Sequence, residues 1–336
     1  MKPILTIVVP CYNEEDVLLN TMSELLKVMD RLVLEKAISK DSRLLFVDDG
    51  STDHTWAIIE TKAKKDNKVK GVKLAKNVGH QNALLAGLEA AAECSDCIIS
   101  IDADLQDDVN VIAQFIHKFH EGNEVVYGVR SKRDKDTWFK RVSAESYYKL
   151  MNGFGIELVF NHADFRLMSK RAVLHLLKYT ETNMFLRGIV PLVGFKTATV
   201  TYERKERLAG ESKYPLKKMI SFALDGLTSF TVKPIRLITA GGAIVLILGA
   251  GAGAYPLIQK AAGNTVPGWT SIMASIWFIG GVQLLSLGLI GEYIGKIFKE
   301  VKRRPKFLIE DNLLEPQTLK RHEYMKYRVR SKRKHF

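Results

Sequence analysis

Asp102 and Asp104 stand one residue apart in Asp102-Ala103-Asp104-Leu105-Gln106-Asp107, directly after the apolar run that starts at Cys97. Two carboxylates at that spacing on a strand end can share one hard divalent cation, with the Gln106 amide oxygen two positions on as a third donor. Oxygen ligands favour Mg2+ or Mn2+ over zinc. Such an ion would bridge a diphosphate and neutralise its charge as it departs, which is Lewis-acid chemistry. An Asp-x-Asp alone also arises by chance or as a helix cap; the apolar strand before it gives this one its weight.

Two more acid-rich or turn-forming clusters follow apolar runs in the same way, Pro10-Cys11-Tyr12-Asn13-Glu14 and Asp48-Asp49-Gly50-Ser51-Thr52-Asp53. The elements that must position them alternate. Strands are expected over Leu5–Pro10, Leu44–Asp48, Val69–Leu74 and Cys97–Asp102, and helices over Glu15–Val33, Thr55–Lys65, Gln81–Glu93 and Val109–Glu121. That alternation predicts an α/β unit with a parallel sheet, in which ligands bind at the carboxyl ends of strands. The chain has no G-x-x-x-x-G-K-[ST] loop and no G-x-G-x-x-G after the first strand, so a nucleotide must be held without those fingerprints. His80, at a predicted helix start, reads as a packing or capping residue. Cys94-x-x-Cys97 has no second pair for zinc and precedes a strand, which speaks against a redox role.

With 336 residues and 46% apolar content the chain exceeds one ordinary compact domain, and disorder is excluded as its main state. Three cysteines make no disulfide framework. The start, Met1-Lys2-Pro3-Ile4, lacks the pattern of a secretory signal, so the N-terminal part is expected to face a reducing cytosol. The net charge of +13 would suit a nucleic-acid binder if it were evenly spread. It is not: Lys296 to Phe336 holds 14 basic and 5 acidic residues, so residues 1–295 carry 36 against 32, only +4. No nucleic-acid partner is expected.

What precedes that basic end sets the class. Leu237–Ile258 and Ala261–Gly291 contain no charged residue, and each is long enough to cross a hydrocarbon core that needs about 20 apolar residues. Basic flanks stand before the first run (Lys213, Lys217, Lys218, Lys233, Arg236) and after the second (Lys296, Lys299, Lys302, Arg303, Arg304), with only Lys260 near the connection. By the positive-inside rule both ends are cytoplasmic. Between the α/β unit and the first run, Leu216, Met219, Ile220, Ala223, Leu224, Leu227 and Phe230 recur at helical spacing, the pattern of an interfacial amphipathic helix. A helix packed on the soluble unit is the alternative. The expected organisation is a catalytic domain over residues 1–211, an amphipathic segment over 212–236, membrane helices over 237–258 and 268–293 joined by an outer loop at 259–267, and a basic cytoplasmic tail over 294–336.

The segments VVPCYNEE, FVDDGSTD, LAKNVGHQNALLAGLEAA, SIDADLQDD, YGVR, ADFRLMS and ERLAGESKYPLKKM, in that order, resemble glycosyltransferase family 2. More narrowly they resemble the polyisoprenyl-phosphate glycosyltransferases, the bactoprenol glucosyltransferase branch related to dolichyl-phosphate mannose synthase. The resemblance covers the chain to about Arg304. It implies a GT-A fold, Rossmann-like and nucleotide-sugar-binding, that transfers a sugar to a lipid phosphate with inversion. Pro10, Tyr12 and Glu14 match the family's base-binding strand end, and Asp48 and Asp49 the acidic pair near base and ribose. Asp102 and Asp104 match the diphosphate and metal aspartates, with Gln106 as the third candidate ligand for Mg2+ or Mn2+. Arg130 in YGVR and Arg141 in WFKR fall where the family places arginines by the acceptor phosphate, and a guanidinium fork suits phosphate oxygens. Arg204, Arg207 and Lys213 occur where the family's basic segment runs beside the site; they orient the lipid phosphate or are interfacial charges only.

The implied acceptor, undecaprenyl phosphate, is already an anion near neutral pH and needs no general base, so positioning and charge neutralisation suffice. Asp104 and Asp164 are the carboxylates to test first; Asp164 either contacts sugar hydroxyls or holds Arg166. UDP-glucose is the favoured donor by analogy with the branch, ahead of UDP-N-acetylglucosamine, UDP-galactose and GDP-mannose. The product would feed cell-envelope glycosylation through a separate flippase and a downstream glycosyltransferase, and the Gly-rich first run could serve a homo-oligomer. A processive polysaccharide synthase lacks support, since Q-x-x-R-W is absent and two spans are too few for a polymer channel. A catalytically dead membrane scaffold is the reading from another class, opposed by intact Asp102, Asp104, Arg130 and Arg141.

Overall fold

The computed structural model of the chain describes residues 2–130, 162–181, 186–203, 241, 244 and 268–314. In chain order these form β1 (Leu5–Cys11), α1 (Glu15–Leu34), β2 (Arg43–Asp48), α2 (Thr55–Lys65), β3 (Val69–Leu74), α3 (His80–Ala92) and β4 (Cys97–Ser100). A 3-10 turn at Val109–Val111 then leads into α4 (Ile112–His120) and β5 (Val125–Arg130), followed by β6 (His162–Ser169) and α5 (Lys170–Leu176). After these come α6 (Leu186–Leu192), β7 (Thr197–Tyr202), α7 (Trp269–Lys302) and β8 (Ile309–Asn312).

The strands lie in one sheet of order β7-β5-β6-β4-β1-β2-β3-β8. β1 pairs in parallel with β2 and β4, and β2 with β3, as the alternating pattern predicts. The sheet is nevertheless mixed. β6 runs antiparallel to both β4 and β5, and β8 antiparallel to β3. Every residue of β1 is buried, because helices cover both faces of a central parallel strand and leave it no polar side. α1 lays Leu18, Met22, Leu25, Met29 and Leu32, all buried, into the core shared with Ile7, Val9 and Phe46. α3 comes so close that a Cβ at Gly87 would stand 2.4 Å from Val8 and 2.7 Å from Val47. Only glycine permits that approach, and it fixes where the start of α3 projects beyond the sheet.

Two features of the sheet create a crevice. The chain moves outward from β1 through β2 to β3 and then returns to place β4 on the other side of β1, so the strand order reverses between β1 and β4. That reversal is where open α/β sheets bind ligands. The pairing of β1 with β4 also stops at Val8 and Ser100, two residues short of the expected strand end, once the Ile101 amide has donated to the Val8 carbonyl at 3.1 Å. Beyond that point the chain turns away, and the acid-rich segment 102–107 lines the opening.

The described chain divides into two compact units, one holding the sheet, its helices and residues 305–314, the other holding α7. α7 runs to Lys302, past the expected membrane boundary at 293, and ends at Arg303, whose φ of 46° is left-handed. The region expected as a basic tail then contributes β8 to the sheet. Lys73 Nζ pairs with Glu310 at 3.2 Å, the Ala75 amide donates to the Leu308 carbonyl at 2.9 Å, and the Leu313 amide to the Gly71 carbonyl at 2.7 Å. Counting described residues only, no helix is long and apolar enough to cross a membrane; the side chains of α7 at 269–271, 273, 274, 277 and 278, among others, lie outside them. The expected amphipathic segment, the outer loop and all but residues 241 and 244 of the first expected span also lie outside the described residues.

Candidate active site

The turn after β4 is built by its own side chains. The Gln106 amide donates to Asp104 Oδ1 at 3.2 Å, Leu105 takes the left-handed conformation at φ 49°, and the Thr21 hydroxyl of α1 donates to the Ala103 carbonyl at 2.6 Å. Ala103 and Gln106 are buried while Asp102 and Asp104 are half-buried. Burial pushes the Asp102 carboxyl above its usual range, with His80 opposing and Asp164, Asp107 and Asp104 adding to the shift. Since 39% of the Asp102 side chain still reaches solvent, the neighbouring carboxylates are the firmer cause.

Asp164, on β6, is the charge hub. Its Oδ1 accepts from Arg166 at 2.6 Å and from Arg187 Nε at 3.3 Å, and its Oδ2 accepts from a terminal nitrogen of Arg187 at 3.0 Å. Burial alone would raise its carboxyl, but Arg187 and Arg166 outweigh that and hold it well below the usual carboxylate range. Arg166 therefore is held by Asp164, one of the two roles left open from sequence. His80, the first residue of α3, lies between the two acids, with Nε2 3.5 Å from Asp102 Oδ1 and 3.9 Å from Asp164 Oδ2. With 42% of its side chain exposed it is not a packing residue, and the α3 N-terminus carries no side-chain capping bond. The bland reading of His80 is thus corrected.

Arg130 ends β5 and meets Asp107, its terminal nitrogen 3.2 Å from Asp107 Oδ1, the same oxygen that accepts the Tyr202 hydroxyl at 2.7 Å. Burial works against the Arg130 cation, but Asp107 and Tyr202 together more than offset it and push its value up. Arg130 Nε is buried without a hydrogen-bond partner among the described residues.

On the β1–β2 side, Pro10 sits in β1 opposite Val47, Tyr12 is exposed just beyond the strand, and Glu14 opens α1, its amide donating to the Thr55 hydroxyl at 3.0 Å. Asp48 is fully buried; one oxygen accepts the Ser51 amide at 3.2 Å and the other has no partner among the described residues. Burial pushes its carboxyl up. Both oxygens of Asp49 are taken by backbone amides, Val78 at 2.7 Å and Gly79 at 3.0 Å. Asp49 therefore holds the turn that delivers His80. Gly50, at φ 67°, lets this happen, since a Cβ there would strike the Asn77 backbone at 2.6 Å.

Asp102, Asp104, Asp164 and Arg130 thus come to one end of the sheet, while Arg141, Arg204, Arg207 and Lys213 lie outside the described residues. Sequence reasoning did not single out Arg187, Asp107 or Tyr202. The one available signal for Arg187 was a lone cation within the apolar run Phe185-Leu186-Arg187-Gly188-Ile189-Val190. Among the described residues no three His, Cys, Asp or Glu side chains gather into a metal cage. Two acids and an amide on one turn are a partial donor set, which suits an ion such as Mg2+ that takes its other ligands from substrate phosphates and water.

A mixed α/β sheet with an acid pair at its switch point is an architecture in which ligands bind at the strand ends. The model of glycosyl transferase family 2 matches residues 6–177, and that of the GtrB C-terminal hairpin matches residues 233–297. The chain belongs to glycosyltransferase family 2 and is a glycosyltransferase enzyme. It is 58% identical over 316 residues to the uncharacterized glycosyltransferase YkoT of Bacillus subtilis (strain 168), covering 94% of each chain. It is 40% identical over 310 residues to the SfII prophage-derived bactoprenol glucosyl transferase of Shigella flexneri, covering 91% of this chain and 97% of that one. Among solved structures, the mannosyltransferase PcManGT of Pyrobaculum calidifontis, in complex with GDP-Man and Mn2+, is 15% identical with a TM-score of 0.48, covering 91% of this chain and 89% of that one.

Proposed function

We propose that the protein moves a hexose, with UDP-glucose the favoured donor, from a nucleotide sugar to a polyisoprenyl phosphate such as undecaprenyl phosphate, at the cytoplasmic face of the cell membrane. The observation that carries this reading is the convergence of Asp102 and Asp104 with the cation-bearing pairs Asp107–Arg130 and Asp164–Arg187 at one switch point. A reaction between two phosphate-bearing substrates needs this mixture of charges. The similarity to bactoprenol glucosyl transferases, which spans the catalytic region and the hairpin alike, supports the acceptor class.

In this reading exposed Tyr12 stacks on the base, and the unpartnered oxygen of buried Asp48 accepts from it, while Pro10 and Glu14 shape the same strand end. Asp102 and Asp104, with Gln106, hold a divalent cation that neutralises the diphosphate charge when bound. Arg130, held by Asp107 and Tyr202, turns a guanidinium toward the acceptor phosphate, with Arg141, Arg204, Arg207 and Lys213 as further candidates there. The acceptor oxygen is already anionic, so these residues act by holding it in line with the sugar carbon.

For the membrane, the support is the uncharged sequence of 237–258 and 269–291 together with the exposed apolar side chains of α7, Ile272, Ile276, Ile279, Leu287, Ile290 and Ile294. The β8–β3 pairing supports the two-span reading, because residues on both sides of the intervening segment lie in one sheet, as an even number of crossings requires.

The test is transfer of radiolabel from a panel of nucleotide sugars to undecaprenyl phosphate by detergent-purified protein, with Mg2+, Mn2+ or chelator. One labelled lipid, lost with chelator, is expected, and the donor that yields it names the sugar. Absence of product from every donor, in protein that binds nucleotide, overturns the acceptor reading.

A further inference from the structure

The backbone around His80 is fastened from three sides. Both oxygens of Asp49 hold the amides of Val78 and Gly79 just before it, at 2.7 and 3.0 Å, and the Asn82 side-chain amide donates back to the Val78 carbonyl at 2.9 Å. Gln81, its neighbour on α3, accepts the Leu186 amide of α6 at 3.2 Å. Gly79 turns the chain into the helix at φ 88°, a conformation that favours glycine. A backbone held this firmly delivers one side chain to one place.

The imidazole takes no part in those fastenings. Its Nε2 stands 3.5 Å from Asp102 Oδ1 and 3.9 Å from Asp164 Oδ2, both longer than a hydrogen bond, so the ring lies between two acids without bonding either. Asp164 has both oxygens taken by arginines, and Asp102 is reached by solvent. With its proton on Nε2 the ring donates into the gap beside Asp102, whose oxygen accepts from the other side. The chemistry of that gap selects its occupant. A phosphate oxygen only accepts and would meet Asp102 and Asp164 as like charges. A hydroxyl accepts from the imidazole and donates to the carboxylate at once, and a carboxylate has lone pairs enough to serve a hydroxyl and a cation together. In a nucleotide sugar the hydroxyls belong to the two sugar rings.

Resting on the transfer reaction above, we propose that His80, together with Asp102 Oδ1, binds a sugar hydroxyl of the donor, on the ribose or on the transferred hexose. The full-length, detergent-purified protein is compared with His80→Ala and with His80→Gln, whose side-chain amide keeps an uncharged N–H donor. Affinities for UDP and UDP-glucose, or for the pair that the transfer panel names in their place, are read by calorimetry without acceptor. Loss of one hydrogen bond between uncharged groups weakens binding about 2- to 10-fold, so His80→Ala should lose about that factor for UDP-glucose. An equal loss for UDP places the hydroxyl on the ribose, and a loss for UDP-glucose alone places it on the hexose. His80→Gln should bind more tightly than His80→Ala. Unchanged affinity of His80→Ala for both ligands overturns the proposal, and so does an equal loss in Ala and Gln, which marks a role of the ring other than donating a hydrogen bond. If His80→Ala does not fold, His80→Phe, which keeps a ring without a donor, is read in its place by the same criteria. Wild type that binds both nucleotides without transferring sinks the acceptor reading alone and leaves the His80 measurement valid. Wild type that binds no nucleotide sugar overturns both.

Discussion

Asp102 and Asp164 approach the same imidazole and are driven in opposite directions, Asp102 upward by burial and its acidic neighbours, Asp164 downward by two arginines. The consequence for Asp164 is structural as well as chemical, because Arg166 would be left as a buried, uncompensated cation without it. Removing one partner of a buried pair costs about 3–5 kcal/mol, so Asp164→Asn should lower stability by that order at pH 7. The sign with pH follows from the lowered native value. Stability from this pair is fully present above the unfolded carboxyl value of about 3.9 and is lost as pH falls toward the native one. The stability gap between wild type and Asp164→Asn, read from thermal melts, should therefore narrow below about pH 4. A gap independent of pH would show that the arginines do not hold the carboxylate.

The elements around the site act as supports with named attachments. The loop between β3 and α3 is fixed at its far end by Asp49 and at its near end by β8, where the Ala75 amide meets the Leu308 carbonyl. The chain that returns from α7 thereby braces the turn carrying His80. Its backbone bonds to β3 contribute about 1 kcal/mol each, net, and Leu313 packs above Gly71. Truncation after Arg304 should then lower the melting temperature of the catalytic unit and weaken UDP binding, whereas truncation after Leu314 should change neither. Equal melting of the two truncations would show that β8 does not support the domain. The basic composition of the last forty residues gave no hint of this strand, because Ile309-Glu310-Asp311-Asn312 is short, polar and strand-like only when β3 is there to pair with it.

At the scale of the whole molecule, residues before and after the uncharged runs lie in one sheet through the β8–β3 pairing. If those runs cross the membrane, cysteines placed near residue 264 should be labelled by an impermeant reagent from outside the cell, and cysteines near residue 310 only after lysis. Labelling of both from the outside, or of neither, would overturn the two-span topology. The similarity to the Shigella flexneri relative covers 91% of this chain, and the family 2 match and the hairpin match fall within one sequence.

The parallel half of the fold was legible in the residues alone. β1 to β4 and the helices between them follow local pattern, with apolar β-branched runs and amphipathic spacing, and Asp102 and Asp104 declare themselves by standing at a strand end. Composition and charge distribution excluded a disulfide scaffold and an evenly basic nucleic-acid binder. The partners of those acids were decided by tertiary structure. Arg187, Asp107, Tyr202 and His80 reach the site from four separate segments, and no spacing in the chain encodes a contact across 23 residues, as between Asp164 and Arg187, or 95, as between Asp107 and Tyr202. The same holds for Asp49, whose place in an acid pair suggested a ligand contact but whose two oxygens are occupied by backbone amides. A carboxylate's neighbours set its role, and those neighbours are assembled only when the fold brings separate segments of the chain together at one end of the sheet.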